Sequence, residues 1–61
     1  MFIELKQTSG KMVLINLEKI NSVQPHSERG NPTTMIDTDT ETFFIAARYS
    51  EIKDLISKAG F

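Results

Sequence analysis

The sequence contains no cysteine and a single histidine, His26. Without cysteine it cannot form disulfide bonds or the usual structural zinc sites, in which thiolates hold the metal. Any metal site would therefore depend on carboxylates. No apolar run approaches the roughly 20 residues that span a bilayer, and the first residues lack the basic-then-apolar order of a signal peptide. We expect a cytoplasmic protein that does not enter a membrane.

Glycine and excess positive charge are also scarce. Gly10, Gly30 and Gly60 stand alone, so there is no glycine-rich loop of the kind that binds phosphate, and we predict no cofactor. Seven Lys and Arg residues against eight Asp and Glu residues give a net charge of −1. Overall basicity therefore does not point to nucleic acid, although a local basic stripe is compatible with it.

The length of 61 residues predicts one domain over 1–61. A chain of this size buries only about 60% of the surface that its unfolded form exposes. Domains this small usually need a disulfide, a metal or a second subunit. Since cysteine is absent, we expect oligomerisation to supply that support.

The last part of the chain predicts one amphipathic α-helix over about 50–59. Ser50 is suited to be its N-cap. Gly60 is placed to end the helix in a left-handed conformation, which would bring Phe61 against Ile56. The apolar stripe of this helix follows helical spacing and comprises Ile52, Leu55, Ile56 and Ala59.

The rest of the chain predicts five short antiparallel strands, because apolar alternation is broken repeatedly by turn residues. These strands cover about 2–7, 12–15, 20–24, 33–38 and 42–47. Asn16 is expected to accept a backbone hydrogen bond in a single turn. The segment from Pro25 to Pro32 is almost free of apolar residues and predicts an exposed, mobile loop. The fold class is mainly β (α+β), with the strands forming a curved sheet or a small barrel before the helix.

The second and fifth strands are apolar on both faces, which raises a question of packing. One short helix cannot cover both sides of a five-stranded sheet. The remaining cover must come from closure of the sheet into a barrel or from a second copy of the chain, and we expect a homodimer. The candidate residues for a dimer or partner interface are Met12, Leu14 and Phe44.

An acidic run places carboxylates at alternate positions, Asp37, Asp39 and Glu41. A calcium loop that began in this way would need glycine at its sixth position and glutamate at its twelfth. Those positions hold Thr42 and Arg48. We therefore interpret the run as a solvated hairpin turn and predict no metal site.

His26 and Ser27 are a histidine and a hydroxyl side by side. Catalysis would require a third residue to orient the histidine and donors to stabilise an oxyanion, and neither accompanies them in sequence. We interpret both as solvent-facing residues, and we predict no catalytic residues and no enzymatic activity.

Lys6, Arg48 and Tyr49 form the candidate nucleic-acid site. The first strand and the end of the last strand could lie side by side, which would bring cations close to an aromatic ring. Proteins that bind single-stranded RNA combine cations, which contact the phosphates, with aromatic rings on which the bases stack. The alternative is that Lys6 and Arg48 are ordinary exposed residues and that Tyr49 shields the start of the helix.

The order of motifs along nearly the whole chain resembles a known family. The motifs are Met1-Phe2-Ile3-Glu4-Leu5, a turn at Gly10, Val13-Leu14-Ile15-Asn16, Ile20, a strand pair and a helix that begins Ser50-Glu51-Ile52. This pattern resembles the small flagellar-operon FlbD family and similar short phage or bacterial proteins. The resemblance implies an accessory or regulatory factor encoded with phage or motility genes, without catalytic residues.

The length, the order of five strands and a helix, and the Glu51-Ile52 helix start also resemble the carbon-storage regulator CsrA. That resemblance implies an RNA-binding dimer with a basic first strand and an arginine just before the helix. Here the first strand has Lys6 followed by Gln7, and Tyr49 stands at the arginine position with Arg48 one residue earlier.

The leading hypothesis is a non-enzymatic, homodimeric, β-rich module that binds a protein partner. The alternative is a single-stranded RNA-binding regulator of the CsrA kind.

Overall fold

A computed structural model describes residues 1–60 and follows the mainly-β plan predicted from the sequence. Its elements are β1 (Phe2–Lys6), β2 (Met12–Asn16), β3 (Ile20–Glu28), β4 (Asn31–Thr38), β5 (Thr42–Ile45) and α1 (Tyr49–Lys58). Every strand pair is antiparallel. A 3-10 turn, Leu17–Lys19, leads into β3, and the Asn16 side chain accepts from the Glu18 N–H at 3.1 Å as expected. The predicted class of five antiparallel strands and one C-terminal helix is confirmed.

The strands fall into two sheets, β1-β2 and β3-β4-β5, and within residues 1–60 they do not close into a barrel. The sheets meet at one antiparallel bridge between Gln7 and Ile45. On either side of this bridge, the Thr8 N–H donates to the Phe44 carbonyl at 2.9 Å and the Ala46 N–H to the Lys6 carbonyl at 2.8 Å. The end of β1 is thereby tied to the end of β5.

The segment from Pro25 to Pro32 is exposed as predicted, but the prediction of a loop was wrong, because it forms the paired ends of β3 and β4. β3 and β4 pair out to Glu28 and Asn31 across a tight turn, in which Arg29 has φ +51° and Gly30 has φ +80°. Two consecutive residues with positive φ make the type I′ turn that suits a twisted hairpin.

The hydrogen-bonding pattern of this hairpin explains why two prolines are tolerated. Glu28 and Asn31, which flank the turn, form a hydrogen-bonded pair, and such pairs alternate along an antiparallel ladder. Pro25 lies opposite Thr34 and Pro32 opposite Ser27, so both prolines occupy pairs in which the ladder needs no N–H.

The core lies between the inner faces of the sheets and α1, which packs against β3 and β4. It is formed by Leu5, Ile15, Leu17, Ile36, Ile45 and Ile52. Thr34 is buried among them, and its hydroxyl donates to the Ala47 carbonyl at 2.8 Å, which satisfies both groups where water is excluded.

The apolar stripe of α1 is narrower than predicted. Ile52 is fully buried and Ile56 and Ala59 are half-buried, but Leu55 is exposed. The spacing of Leu55 fits the stripe, but its side chain stays exposed, so the face of α1 that packs on the sheets is narrower than the apolar stripe.

The ends of α1 also differ in part from the prediction. The N-cap is Arg48 rather than Ser50, in extended conformation (φ −73°, ψ 151°) and without a side-chain cap bond. The helix starts earlier because the Arg48 carbonyl already accepts from the Ile52 N–H at 3.1 Å. Gly60 has the expected positive φ of +93°. The predicted contact of Phe61 with Ile56 lies outside the described residues.

Two aliphatic residues of α1, one buried and one exposed, give a matched test of this core. Ile52→Ala should lower the free energy of unfolding by about 2 to 5 kcal/mol, because it leaves a cavity at a fully buried site. Leu55→Ala should change it by no more than about 0.5 kcal/mol, because that side chain is exposed. Urea denaturation followed by circular dichroism measures both, and equal losses would show that α1 is rotated from the position described.

Candidate functional site

The outward faces of β1 and β2 carry an exposed group of large apolar side chains. Phe2 and Leu14 are each 62% exposed and Met12 is 54% exposed. Alternation along the strands turns Ile3, Leu5, Val13 and Ile15 inward, so the residues between them face out. We call Phe2, Met12 and Leu14 the hairpin patch.

The pairing of β1 with β2 groups the hairpin patch and surrounds it with polar residues. Glu4 lies opposite Leu14 and Lys6 opposite Met12, while Phe2 is diagonal to Leu14. Diagonal neighbours on one face of an antiparallel pair lie about 7 to 8 Å apart, within reach of large side chains. Single exposed apolar residues are ordinary on protein surfaces, whereas a cluster with a charged rim is typical of a contact site.

Phe44, the third predicted interface residue, lies on the other sheet and is 38% exposed. It faces Met35 across β4 and β5, and its ring lies 5.1 Å from the His26 ring, tilted by 52°. The bond from the Thr8 N–H to its carbonyl sets it on the same outward side as Lys6. The structure therefore brings Met12 and Leu14 together, and it places Phe44 on the same side but partly covered by its own sheet.

The predicted RNA-binding residues fall at two neighbouring places. Lys6 is exposed on β1, where its carbonyl accepts from the Ala46 N–H. Arg48 and Tyr49 begin α1, and Tyr49 is 36% exposed. The Nζ atom of Lys53 lies 5.9 Å from the centre of the Tyr49 ring, so Lys53 adds a second cation at the start of the helix.

Two of the residues described here did not enter the sequence-based site. Phe2, Glu4 and Lys6 are at alternate positions of β1 and therefore lie on the same face of the strand. The alternation of β1 already predicts that Phe2 faces outward. Lys53 follows Tyr49 by four residues on a helix, and this spacing places two side chains on the same surface.

A groove of about 670 Å³ opens between the Thr8–Ser9 turn and the tip of the β3-β4 hairpin. Its lining comprises Thr8, Ser9, Glu28, Arg29, Asn31, Pro32, Thr33 and Ala46. The polar side chains of the lining are hydroxyl and amide groups together with one carboxylate and one guanidinium, and the rest of the lining is apolar. It offers hydrogen bonds but no paired acid and base.

His26 and Ser27 are consecutive residues of β3, so their side chains point to opposite faces of the sheet. The Nδ1 atom of His26 lies 3.4 Å from the Thr33 hydroxyl. A histidine and a hydroxyl on opposite faces cannot act as base and nucleophile at one site.

The acidic run forms the turn between β4 and β5. The Asp37 carboxylate accepts from the Thr42 hydroxyl at 2.8 Å, and the Thr38 hydroxyl donates to the Glu41 carbonyl at 2.8 Å. In the part of the chain that the structure describes, no cluster of three or more His, Cys, Asp or Glu side chains is placed to hold a metal ion. Among the same residues, no helix has the length and apolar character needed to cross a membrane.

Comparison of the chain with protein-family models, curated proteins and solved structures found no match.

The hairpin patch should contribute little to the stability of the isolated chain. Leu14→Thr keeps a residue that suits a strand and should change the free energy of unfolding by no more than about 0.5 kcal/mol. Leu5→Thr, on the inner face of the same hairpin, should lower it by about 2 to 5 kcal/mol. Chemical denaturation at a concentration at which the chain is monomeric compares them, and a large loss for Leu14→Thr would place Leu14 in the core.

Proposed function

We propose that this protein is a non-enzymatic cytoplasmic module that forms a homodimer and binds a protein partner through the hairpin patch. The observation that carries the proposal is the exposure of Phe2, Met12 and Leu14 together on one face of β1-β2. Since α1 packs on the other side, no helix within residues 1–60 covers this face.

The composition of the hairpin patch fits a protein partner. Aromatic and methionine side chains are enriched where proteins meet, and a polar rim commonly surrounds the apolar centre. Here Glu4 and Lys6 supply charges of both signs beside the apolar side chains. Covering the exposed part of each apolar residue would contribute about 1 kcal/mol or more.

Site-specific photocrosslinking tests the protein partner. A benzophenone amino acid replaces Leu14 in one chain and Leu55 in another, so that the control is an exposed leucine on α1. In the native host, the chain labelled at position 14 should give one discrete adduct with a different protein, identified by mass spectrometry. The additional change Phe2→Ser should weaken this adduct, because it removes apolar area from the same patch.

Equal adducts from positions 14 and 55 would mean that the crosslinks report random collisions. Adducts only between copies of the chain would support a homodimer and remove the protein partner from the proposal.

A second candidate function is the binding of single-stranded RNA by the basic and aromatic residues near the start of α1. The observation that favours it is the grouping of Arg48, the exposed Tyr49 ring and Lys53, with Lys6 near Ala46 on the adjoining strand. Because the Lys53 ammonium lies over one face of the Tyr49 ring, a base that stacks on that face must displace it.

RNA titrations at several salt concentrations test this candidate. Random-sequence single-stranded RNA of about 20 nucleotides should bind with a log affinity that falls linearly with log salt, because bound phosphates release counterions. Lys6→Ala and Arg48→Ala should each reduce the salt slope by about one. Lys58→Ala, at the far end of α1, serves as the control. Binding without salt dependence, or unchanged in the first two variants, would rule out this surface.

A further inference from the structure

The free edge of β2 indicates how two copies of the chain could pair in the proposed homodimer. This inference rests on the proposed function. The edge can be read from the hydrogen bonds at the two ends of the β1-β2 ladder. The Gln7 N–H donates to the Lys11 carbonyl at 2.9 Å, and the Leu17 N–H to the Met1 carbonyl at 2.9 Å. Both pairs continue the register in which Leu5 lies opposite Val13.

Hydrogen-bonded pairs alternate along an antiparallel ladder, so this register fixes where every backbone group of β2 points. Val13 and Ile15 exchange hydrogen bonds with β1. Met12, Leu14 and Asn16 direct their N–H groups away from β1. Within residues 1–60, β1 is the one strand paired with β2.

This edge lacks the features that normally protect a free strand from pairing. β2 has no proline, no charged residue and no register shift, and two of its side chains are exposed and apolar. By contrast, the free edge of β3 is interrupted by Pro25 and by a register shift between Ile20 and Ser22. Proline, charge and bulges are the usual means of blocking a strand edge, so β2 is the edge that is open to pairing.

We propose that β2 pairs antiparallel with β2 of a second copy of this chain, across a twofold axis at Leu14. The two Leu14 residues then exchange backbone hydrogen bonds, and each Asn16 N–H faces the Met12 carbonyl of the other copy. The result is a four-stranded sheet in the order β1-β2-β2-β1. An isolated two-stranded hairpin is marginally stable in water, and two further strands remove that weakness.

The charges around the edge favour a second copy as the occupant. β2 itself is uncharged, so the twofold axis brings no like charges face to face. The register sets Lys11 of each copy opposite Leu17 of the other and next to Glu18, whose carboxylate also lies 3.7 Å from the N-terminal amine of its own chain. This approach of opposite charges occurs twice by symmetry. The two Glu4 side chains are kept three strand spacings apart, about 14 Å, which exceeds the screening length of about 8 Å in physiological salt.

Pairing at the edge leaves the outer face open and enlarges it. The hairpin patches of the two copies become one continuous surface about the twofold axis, with the two Leu14 side chains adjacent at its centre. The protein partner of the proposed function would therefore contact both copies at once.

Because the chain contains no cysteine, introduced thiols report the register without background. Residues opposite each other in a hydrogen-bonded antiparallel pair have Cα atoms about 5.5 Å apart, within disulfide range. The Leu14→Cys chain should therefore form a covalent dimer on mild oxidation. The Met12→Cys chain should not, because four residues along the strand separate those positions by about 13 Å. An equal mixture of Met12→Cys and Asn16→Cys chains should form the mixed disulfide.

Chemical synthesis allows a second measurement that keeps every side chain. N-methylation of Leu14 removes the N–H on the free edge but no bond to β1. It should leave the circular dichroism spectrum unchanged and weaken dimerisation about a hundredfold or more in sedimentation equilibrium. N-methylation of Ser27, on the free edge of β3, is the matched control and should leave dimerisation unchanged.

The proposal is overturned if the Met12→Cys and Leu14→Cys chains oxidise to dimers equally, if N-methyl-Leu14 dimerises normally, or if the unmodified chain stays monomeric at millimolar concentration. Dimerisation that persists after N-methylation would retain the proposed homodimer and reject the β2 edge. Pairing of β2 with a strand of another protein would leave the chain monomeric when pure, and it would likewise reject the second copy as occupant.

Discussion

Two backbone hydrogen bonds, from Thr8 to Phe44 and from Ala46 to Lys6, join the two sheets and determine which side chains face the core. Between them, Ile45 points inward and is almost fully buried, while Phe44 and Lys6 point out. Side chains alternate along a strand, so a slip of one residue at this junction would exchange Ile45 with Phe44. The burial of Ile45 therefore stabilises the register, and the same register orients the candidate surface.

The inner and outer faces of the sheets differ in burial because residues 1–60 contain one α-helix, which covers one side. α1 lies against the inner side of β3 and β4, where Ile52 fills the space between them and the hairpin. The hairpin patch lies on the opposite side and is largely hydrated in the isolated chain. Apolar area that is still exposed contributes little to folding and is available to association. Folding and binding consequently depend on different residues of the same two strands.

Alternation in the sequence was sufficient to predict the five strands. It could not determine which side chains of β2 face outward, because that strand is apolar on both faces; its pairing with β1 places Met12 and Leu14 on the outer side. Alternation was also not sufficient for the hairpin between Pro25 and Pro32, because a polar segment bounded by two prolines is typical of a loop, and only the spacing of the prolines makes it compatible with paired strands. Pro25 and Pro32 are spaced from the turn so that both occupy non-hydrogen-bonded pairs, where no backbone N–H is required. A β-strand can therefore include both prolines. Leu55 shows a different limit. Helical spacing predicts which residues share a face, but the width of the contact depends on the sheet, which spacing does not describe.

The contrast between the two strand edges bears on how large an assembly this fold can form. A chain with two open edges would add copies without end, as fibres do, because each new copy would offer a fresh edge. Under the proposed pairing, a twofold contact between β2 strands uses the same edge on both copies and is therefore closed. The edges of β1 and β5 are joined to each other at one end by the bridge between Gln7 and Ile45. On the free edge of β3, Pro25 removes a donor and the shift after Ile20 disrupts the regular spacing of the ladder. Among these edges β2 alone is long, regular and without a partner in residues 1–60, which favours a dimer over a filament.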